Sequence, residues 1–206
     1  KSGAKPANIA AIGLSGHMMG CLPVTADGQP LMNSIIHADC RSTRECAEIE
    51  ASLGGETVYR TTGQRLDPHY PLSKIMWVKK HSQDLFRKAA LFVQCKDFIV
   101  FRLTGRLGVT DFSDATLTSL YDIHEMKWSE KVMLAAGIDP RLLPSVVPSA
   151  TVAGHVTPEA AACTGLAAGT PVIVGAGDGA SATLGAGAVA PGDTYNYVGG
   201  TSWIAT

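Results

Sequence analysis

The sequence predicts an α/β layered fold. The prediction rests on an early apolar run that stops abruptly at small residues, a middle stretch with helical apolar spacing, and a closing block that reads strand, glycine turn, helix, strand.

In chain order, NIAAIGLSG (8–16) reads as a buried strand running into a Gly-Ser turn. GCLPVTADGQPLMNSIIHAD (20–39) reads as a hairpin, because Asp27-Gly28 is flanked by alternating apolar residues. A helix follows in STRECAEIEASLGG. Ser42 and Glu45 have capping-box spacing, Cys46, Ile49 and Leu53 share a face, and Gly54 can stop it. Further helices are predicted in LSKIMWVKKH (72–81), SQDLFRKAA (82–90) and KDFIVFRLTG (96–105), the last ending at Gly105. VTDFSDATLTSLYD (109–122) is too polar for a core strand and reads as a loop leading into a short helix. SEKVMLAAG (129–137) is a small helix stopped by Gly137, and DPRLLPSVVPSATVAGHV (139–156) is a Pro-punctuated connector. The closing unit is a strand over 171–175, a helix over about 179–188, a strand over 194–198 and a turn at Gly199-Gly200-Thr201-Ser202 leading into a further strand.

Composition narrows the function. Lys plus Arg is 17 and Asp plus Glu is 18, so a net charge of −1 offers no footprint for nucleic acid or an anionic membrane surface. The five cysteines are odd in number and form no CxxC pair, which argues against a zinc site or disulfide framework and for a reducing, cytoplasmic setting. The apolar start is broken by Pro6 and Asn8 and lacks a cleavage signature, and no stretch is long and apolar enough to span a bilayer.

One carboxylate, Asp178, stands in an otherwise small and apolar run, TPVIVGAGDGASATLGAGAVAPGD (170–193). Gly175, Gly177 and Gly179 alternate around it, so the backbone can approach a ligand closely at the carboxyl end of a strand, where ligands bind in open α/β sheets. Further on, GGTS supplies a glycine turn with two hydroxyls, a composition suited to phosphate oxygens. A carboxylate base beside a phosphate cradle points to phosphoryl transfer. Two other readings stay open on local grounds: Asp178 as a helix N-cap, and Gly175, Gly177 and Ala180 as the G-x-G-x-x-G/A fingerprint of a dinucleotide-binding oxidoreductase. Against the latter, no acidic residue ends the next strand, which runs out in Val198 and glycines.

Six segments, in order, resemble the FGGY carbohydrate kinases, the family of xylulokinases, gluconokinases, ribulokinases and glycerol kinases. IAAIGLSGHMMG is similar to a strand and substrate loop that in xylulokinases often ends G-I-S-G-Q-M-H-G; ADGQPLMNSIIHADCRS resembles D-x-G-x-P-L-x-P-A-I-x-W-x-D-x-R. TGQRLDPHYPLSKIMWVKKH resembles the family's T-G…K-L-x-W segment, and KDFIVFRLTG with TDFSDAT resembles K-D-Y-L-x-x-x-L-T-G followed by T-D-x-S-D-A. GAGDGASATLGAGAVAPGD and GGTS complete the series, resembling the family's G-x-G-D run and L-G-T-S.

The resemblance implies an actin-like ATPase fold of two ribonuclease-H-like domains, with residues 1–206 a partial N-terminal domain of mixed sheet and flanking helices. It implies that the first phosphate-loop strand and the ATP domain lie outside the chain, which alone would then show no kinase turnover. Asp178 becomes the general base toward a sugar or polyol hydroxyl, with ATP and Mg²⁺ as cofactors and a pentulose such as xylulose as the favoured substrate. His17, Met18, Met19 and Gly179 become the substrate-binding residues, and Gly200, Thr201 and Ser202 hold ATP phosphate. No metal ligand is assigned. The expected partner is the small-molecule substrate, with a homodimer left open; a noncatalytic sugar-binding relative is the alternative. The chain departs from the pattern at His17-Met18-Met19, at His37 where the family has Trp, at Gly179 where xylulokinases have Asn, and at Gly199 for Leu. His17, His37 and Asp39 lack metal-ligand spacing. Asp39 and Arg41 read as a pair at the start of the following helix, Trp77 and Trp128 as packing residues, and Asp111 and Asp114 as loop-ordering acids.

Overall fold

Two glycine-interrupted segments lie side by side and set the frame for everything else. In the computed structural model, which describes residues 3–199 and 202–205, Ile12 bridges Val172 in parallel, and β1 (Ser15–Gly16) then pairs in parallel with β10 (Ala176–Gly177). The pairing breaks at Gly175, whose φ is +78° and where a β-carbon would lie 2.1 Å from the Leu14 carbonyl oxygen. Only glycine fits there. The early apolar run is therefore an isolated bridge followed by a two-residue strand rather than one continuous strand.

The hairpin forms around Gly28 at φ +78°, with Thr25 N–H donating to Gln29 O at 3.0 Å. Its first arm, β2 (Leu22–Val24), pairs antiparallel with the distant β3 (Leu91–Val93), while the return arm keeps only bridges such as Cys21 to Ile35.

Helices follow as α1 (Thr43–Ser52), α2 (Gly55–Thr62), α3 (Pro71–His81) and α4 (Gln83–Lys88). Ser42 sits at the N-cap position of α1 without capping it: its hydroxyl donates to Pro68 O and meets Ser73 Oγ at 2.9 Å, so the expected capping box is absent. A capping box does form at α5 (Cys95–Thr104), between Gln94 and Asp97, and Gly105 ends that helix at φ +73°. Pro at the start of α3 and Lys79, Lys80 and His81 in its last turn suit the helix dipole.

The acidic segment is more regular than its polarity suggests. β4 (Val109–Asp111) pairs in parallel with β7 (Ser145–Val147), α6 (Phe112–Thr116) follows β4 directly, and β5 (Tyr121–Asp122) pairs with β6 (Lys127–Trp128). Buried Thr110 and Asp111 belong to a strand because Asp111 caps α6 and pairs with Lys96. After α7 (Glu130–Ala136), the Pro-punctuated connector contains both β7 and β8 (Val152–His155). α8 (Pro158–Thr164), like α2, was not foreseen; its N-cap is Thr157, bonded to Ala160 N–H. β9 (Pro171–Ile173) pairs antiparallel with β8, α9 covers Asp178–Gly185 and stops short of the predicted end, and β11 (Tyr195–Val198) forms a hairpin with β12 (Ser202–Ala205).

The main core packs Ile49, Val58, Leu72, Ile75, Val78 and Val132 between α1, α2, α3 and α7, and a smaller one sets α5 and α8 against β8 and β9 through Leu103, Val156, Ala160 and Val172. Burial of this kind is worth about 1.5–3 kcal/mol per large aliphatic side chain and is what fixes the strand ends in space. Among the described residues no helix is long and apolar enough to cross a membrane.

Candidate active site

Asp178 is the first residue of α9, and Gly177 holds the N-cap position. The carboxylate is exposed; its Oδ1 accepts a bond from the adjacent Gly179 N–H at 3.0 Å, and among the described residues no cation pairs with it. It is not consumed in capping. A carboxylate that stays open at a strand end is available to a ligand.

What it faces is a cavity of about 330 Å³ lined by His17, Met18, Met19, His37, Leu117, Asp178, Gly179, Tyr197 and Trp203. The structure thus brings His17, Met18, Met19, Asp178 and Gly179 together from the two ends of the chain. Met18 is the hinge of this arrangement: it is buried, and a β-carbon on Gly177 would stand 2.4–2.6 Å from its Cγ, Sδ and Cε. A β-carbon on Gly179 would touch its Sδ at 3.4 Å. The alternating glycines make room for Met18 as well as for any ligand.

Met19 takes φ +64°, in the left-handed region that a non-glycine residue enters only when its surroundings impose it. The imposing group is Lys74, fully buried, whose Nζ donates to Met19 O at 2.9 Å and to Ile36 O at 2.8 Å. One ammonium therefore ties the 17–19 loop to the residue before His37. Burial pushes Lys74 down to about 8. His17 and His37 stand with ring centroids 6.1 Å apart. Burial, then the His37 neighbour, holds His17 below the usual imidazole range although Asp178 pulls the other way, so its ring is neutral at pH 7. Its Nε2 is buried with no hydrogen-bond partner. Asp39 pairs with Arg41 as expected, and Arg41 in turn lies 4.8 Å above the Trp77 ring.

A hydrogen-bonded frame locks the turn below Asp178. Gly177 N–H donates to Ser113 Oγ at 2.9 Å, Ser113 and Ser149 hydroxyls donate to Asp111 Oδ2 at 2.6 and 2.9 Å, and Gly175 N–H donates to Ser149 O at 2.9 Å. Asp111 is anchored by Lys96, whose buried Nζ lies 2.8 Å from Asp97 and 3.3 Å from both Asp111 and Asp114. Burial and the neighbouring acids push Asp114 up to about 8, which keeps it protonated at neutral pH. Gly175 and Gly177 amides are thus already bonded within the protein, and a pyrophosphate resting on them, as the dinucleotide reading requires, would find them taken.

Gly200 and Thr201 lie outside the described residues. Ser202 is exposed and pairs with Val198 in the β11–β12 hairpin. The hairpin reaches the cavity through Tyr197 and Trp203, stacked at 3.9 Å and 11°. Trp203 Nε1 donates to Tyr195 OH at 3.0 Å, and that hydroxyl donates to Gly179 O at 3.3 Å. Tyr197, Trp203 and Leu117 escaped the sequence reading. The available signal was the period-2 spacing of Tyr195 and Tyr197, which puts both on one hairpin face. Among the described residues no group of three or more His, Cys, Asp or Glu could hold a metal ion. The site supplies one open carboxylate; Mg²⁺ commonly needs only one or two, its other ligands coming from water and substrate phosphates.

The N-terminal domain of the FGGY family of carbohydrate kinases matches residues 1–185. A xylulose kinase of Bacillus subtilis (strain 168) is 35% identical over 192 residues, covering 93% of this chain and 38% of that protein. A gluconokinase of the same strain is 31% identical over 198 residues, covering 96% of this chain and 38% of its own length. Among solved structures, a xylulose kinase from Rhodospirillum rubrum superposes with a TM-score of 0.89 at 31% identity, over 95% of this chain and 40% of that one. The chain thus spans 38% of the length of these curated relatives.

Proposed function

Because this chain belongs to the FGGY family of carbohydrate kinases, we propose that it forms the sugar-binding, base-bearing part of an enzyme that transfers phosphate from ATP to a hydroxyl of a sugar or polyol. The carrying observation is that Asp178, exposed and free of any ion pair among the described residues, opens into the same cavity as the 17–19 loop.

In this reading the substrate hydroxyl lies against Asp178, which accepts its proton as the oxygen attacks phosphorus. A positioned base of this kind contributes about 10²- to 10⁴-fold in rate. The neutral His17 ring offers its open nitrogen, Nδ1, to polyol hydroxyls, Met18 and Met19 form the apolar wall, and Gly179 leaves room beside the base. The stacked Tyr197 and Trp203 give a flat apolar face for the carbon skeleton. Gly200, Thr201 and Ser202 are proposed to hold ATP phosphate. MgATP, when bound, supplies the phosphoryl group and the neutralising charge. A pentulose such as xylulose is the proposed substrate, supported by the relatives named for that sugar; the loss of the Gln in Gln-Met-His makes gluconate and other polyols the comparison set.

The test is Asp178→Asn in the full-length protein. We expect kcat to fall at least 100-fold while sugar affinity, read by calorimetry, is kept. A variant that turns over at the wild-type rate would remove Asp178 from the chemistry; a wild-type protein that binds sugar and phosphorylates none of the set would favour the noncatalytic alternative.

A further inference from the structure

Outside the lining of the sugar cavity, three titratable side chains from two segments line up in a relay. Cys40 is exposed, and its Sγ lies 3.3 Å from His69 Nε2, a contact between residues 29 positions apart. The other ring nitrogen, Nδ1, meets Asp67 Oδ1, and the same oxygen accepts the His69 backbone N–H at 2.9 Å. The backbone bond fixes where the carboxylate sits. The carboxylate in turn favours the tautomer with the proton on Nδ1, which turns the Nε2 lone pair toward the thiol. Burial works to raise the Asp67 carboxyl, but the hydrogen bonds and charge of His69 outweigh it and hold it below the usual carboxylate range. It is ionised at neutral pH and can stabilise an imidazolium.

The remaining cysteines lack this setting. Cys21 and Cys95 are held as thiols by burial, which pushes them up to about 12 and about 11. Burial raises Cys46 as well. Cys163 is exposed on α8 and provides an internal comparison. Beside the relay opens a cavity of about 430 Å³ that shares Met19 with the sugar cavity and is lined also by Arg65, Asp67, His69 and Tyr70, through which a small reagent can reach the His69 ring.

We propose that Cys40, His69 and Asp67 form a nucleophilic thiol site, a place of two-electron oxidation by small hydroperoxides. The Sγ proton passes to His69 Nε2, and the sulfur attacks one peroxide oxygen. An S–O bond forms as the O–O bond breaks, and the departing alkoxide or hydroxide takes the proton back from His69. Sulfur is oxidised to the sulfenic acid and the hydroperoxide is reduced to an alcohol or to water. A basic oxygen leaving group that needs a proton is what a histidine holding one can serve, which is why the site suits a hydroperoxide over a disulfide or alkyl halide. This site makes no use of Asp178 and stands whether or not the kinase reading holds.

The experiment treats the reduced full-length protein with hydrogen peroxide in the presence of dimedone and follows both exposed cysteines by peptide mass spectrometry. An ordinary thiol is only a few per cent thiolate at pH 7, so full transfer of its proton gains about 30-fold in reactive form; reduced basicity takes part of that back. Labelling of Cys40 is therefore expected to run at least about fivefold faster than that of Cys163 in the same molecule. His69→Gln, at a half-buried side chain, should bring the two rates within about twofold, and Asp67→Asn should give an intermediate ratio. Equal labelling in the wild type, or a ratio that His69→Gln leaves unchanged, overturns the proposal. The wild-type ratio decides it even if a variant fails to fold.

Discussion

Replacing Lys74 with Met removes the ammonium that ties the two loops of the sugar cavity, and the structure sets both the size and the pH dependence of the effect. Ile36 O keeps a second donor, Asp39 N–H at 3.1 Å, so its loss is partial. Met19 O has no other donor recorded among the described residues and is left bare. Together these losses cost about 2–4 kcal/mol. Against them stands the cost of burying a charge: burial pushes Lys74 from 10.5 down to about 8. The unfolded chain therefore holds its proton over a range where the folded protein has already released it. The contribution of Lys74 to stability rises with pH across the window from about 8 to 10.5. At pH 6.5 relief of the buried charge offsets most of the lost hydrogen bonding, and the variant should lie close to wild type. By pH 9.5 the gap should widen by about 2 kcal/mol. Urea titrations of both proteins at the two pH values read this difference directly. Parallel pH dependence would refute the assignment of Lys74 as a buried, partly neutralised staple.

The frame beneath the base predicts that Ser113→Ala strips Gly177 N–H of its acceptor, lowering kcat in the full-length protein about fivefold for a loss near 1 kcal/mol; an unchanged kcat would show that the turn holds without it. Asp114→Asn tests the buried acid. Its folded value of about 8 lies above the ordinary 3.8, so wild type should lose stability relative to the variant as pH rises from about 4 to about 8. A flat difference in thermal melts over that range counts against a protonated Asp114. Trp203→Ala removes the stack on Tyr197 and should raise KM for the sugar several-fold, the stack being worth about 0.5–1.5 kcal/mol, with kcat nearly kept; a kcat effect alone would place Trp203 elsewhere in the cycle.

How much of this was legible beforehand depended on the kind of signal. Helices with apolar spacing or a local stop were readable: α3 from its apolar run over 72–81 and α5 from Gly105, because those instructions act within a turn or two. Ser42 misled because its hydroxyl had a better partner in Ser73, 31 residues away. The segment at Asp111 looked too polar for a strand because the cation that makes it tolerable, Lys96, comes from another element.

Asp178, the flanking glycines and the 17–19 loop were recognisable in the linear chain, since a lone carboxylate among glycines and an ordered series of short motifs are properties of sequence. That Met18 fills the space those glycines leave, that Lys74 holds Met19 in a left-handed turn, and that an aromatic pair from the far hairpin lines the same cavity as the 17–19 loop were decided only by folding. Each depends on atoms that meet across 50 or more residues, and no local pattern encodes which distant partner will arrive. Propensity acts through neighbours along the chain, whereas a binding cavity is made by packing, where distance along the chain has no meaning.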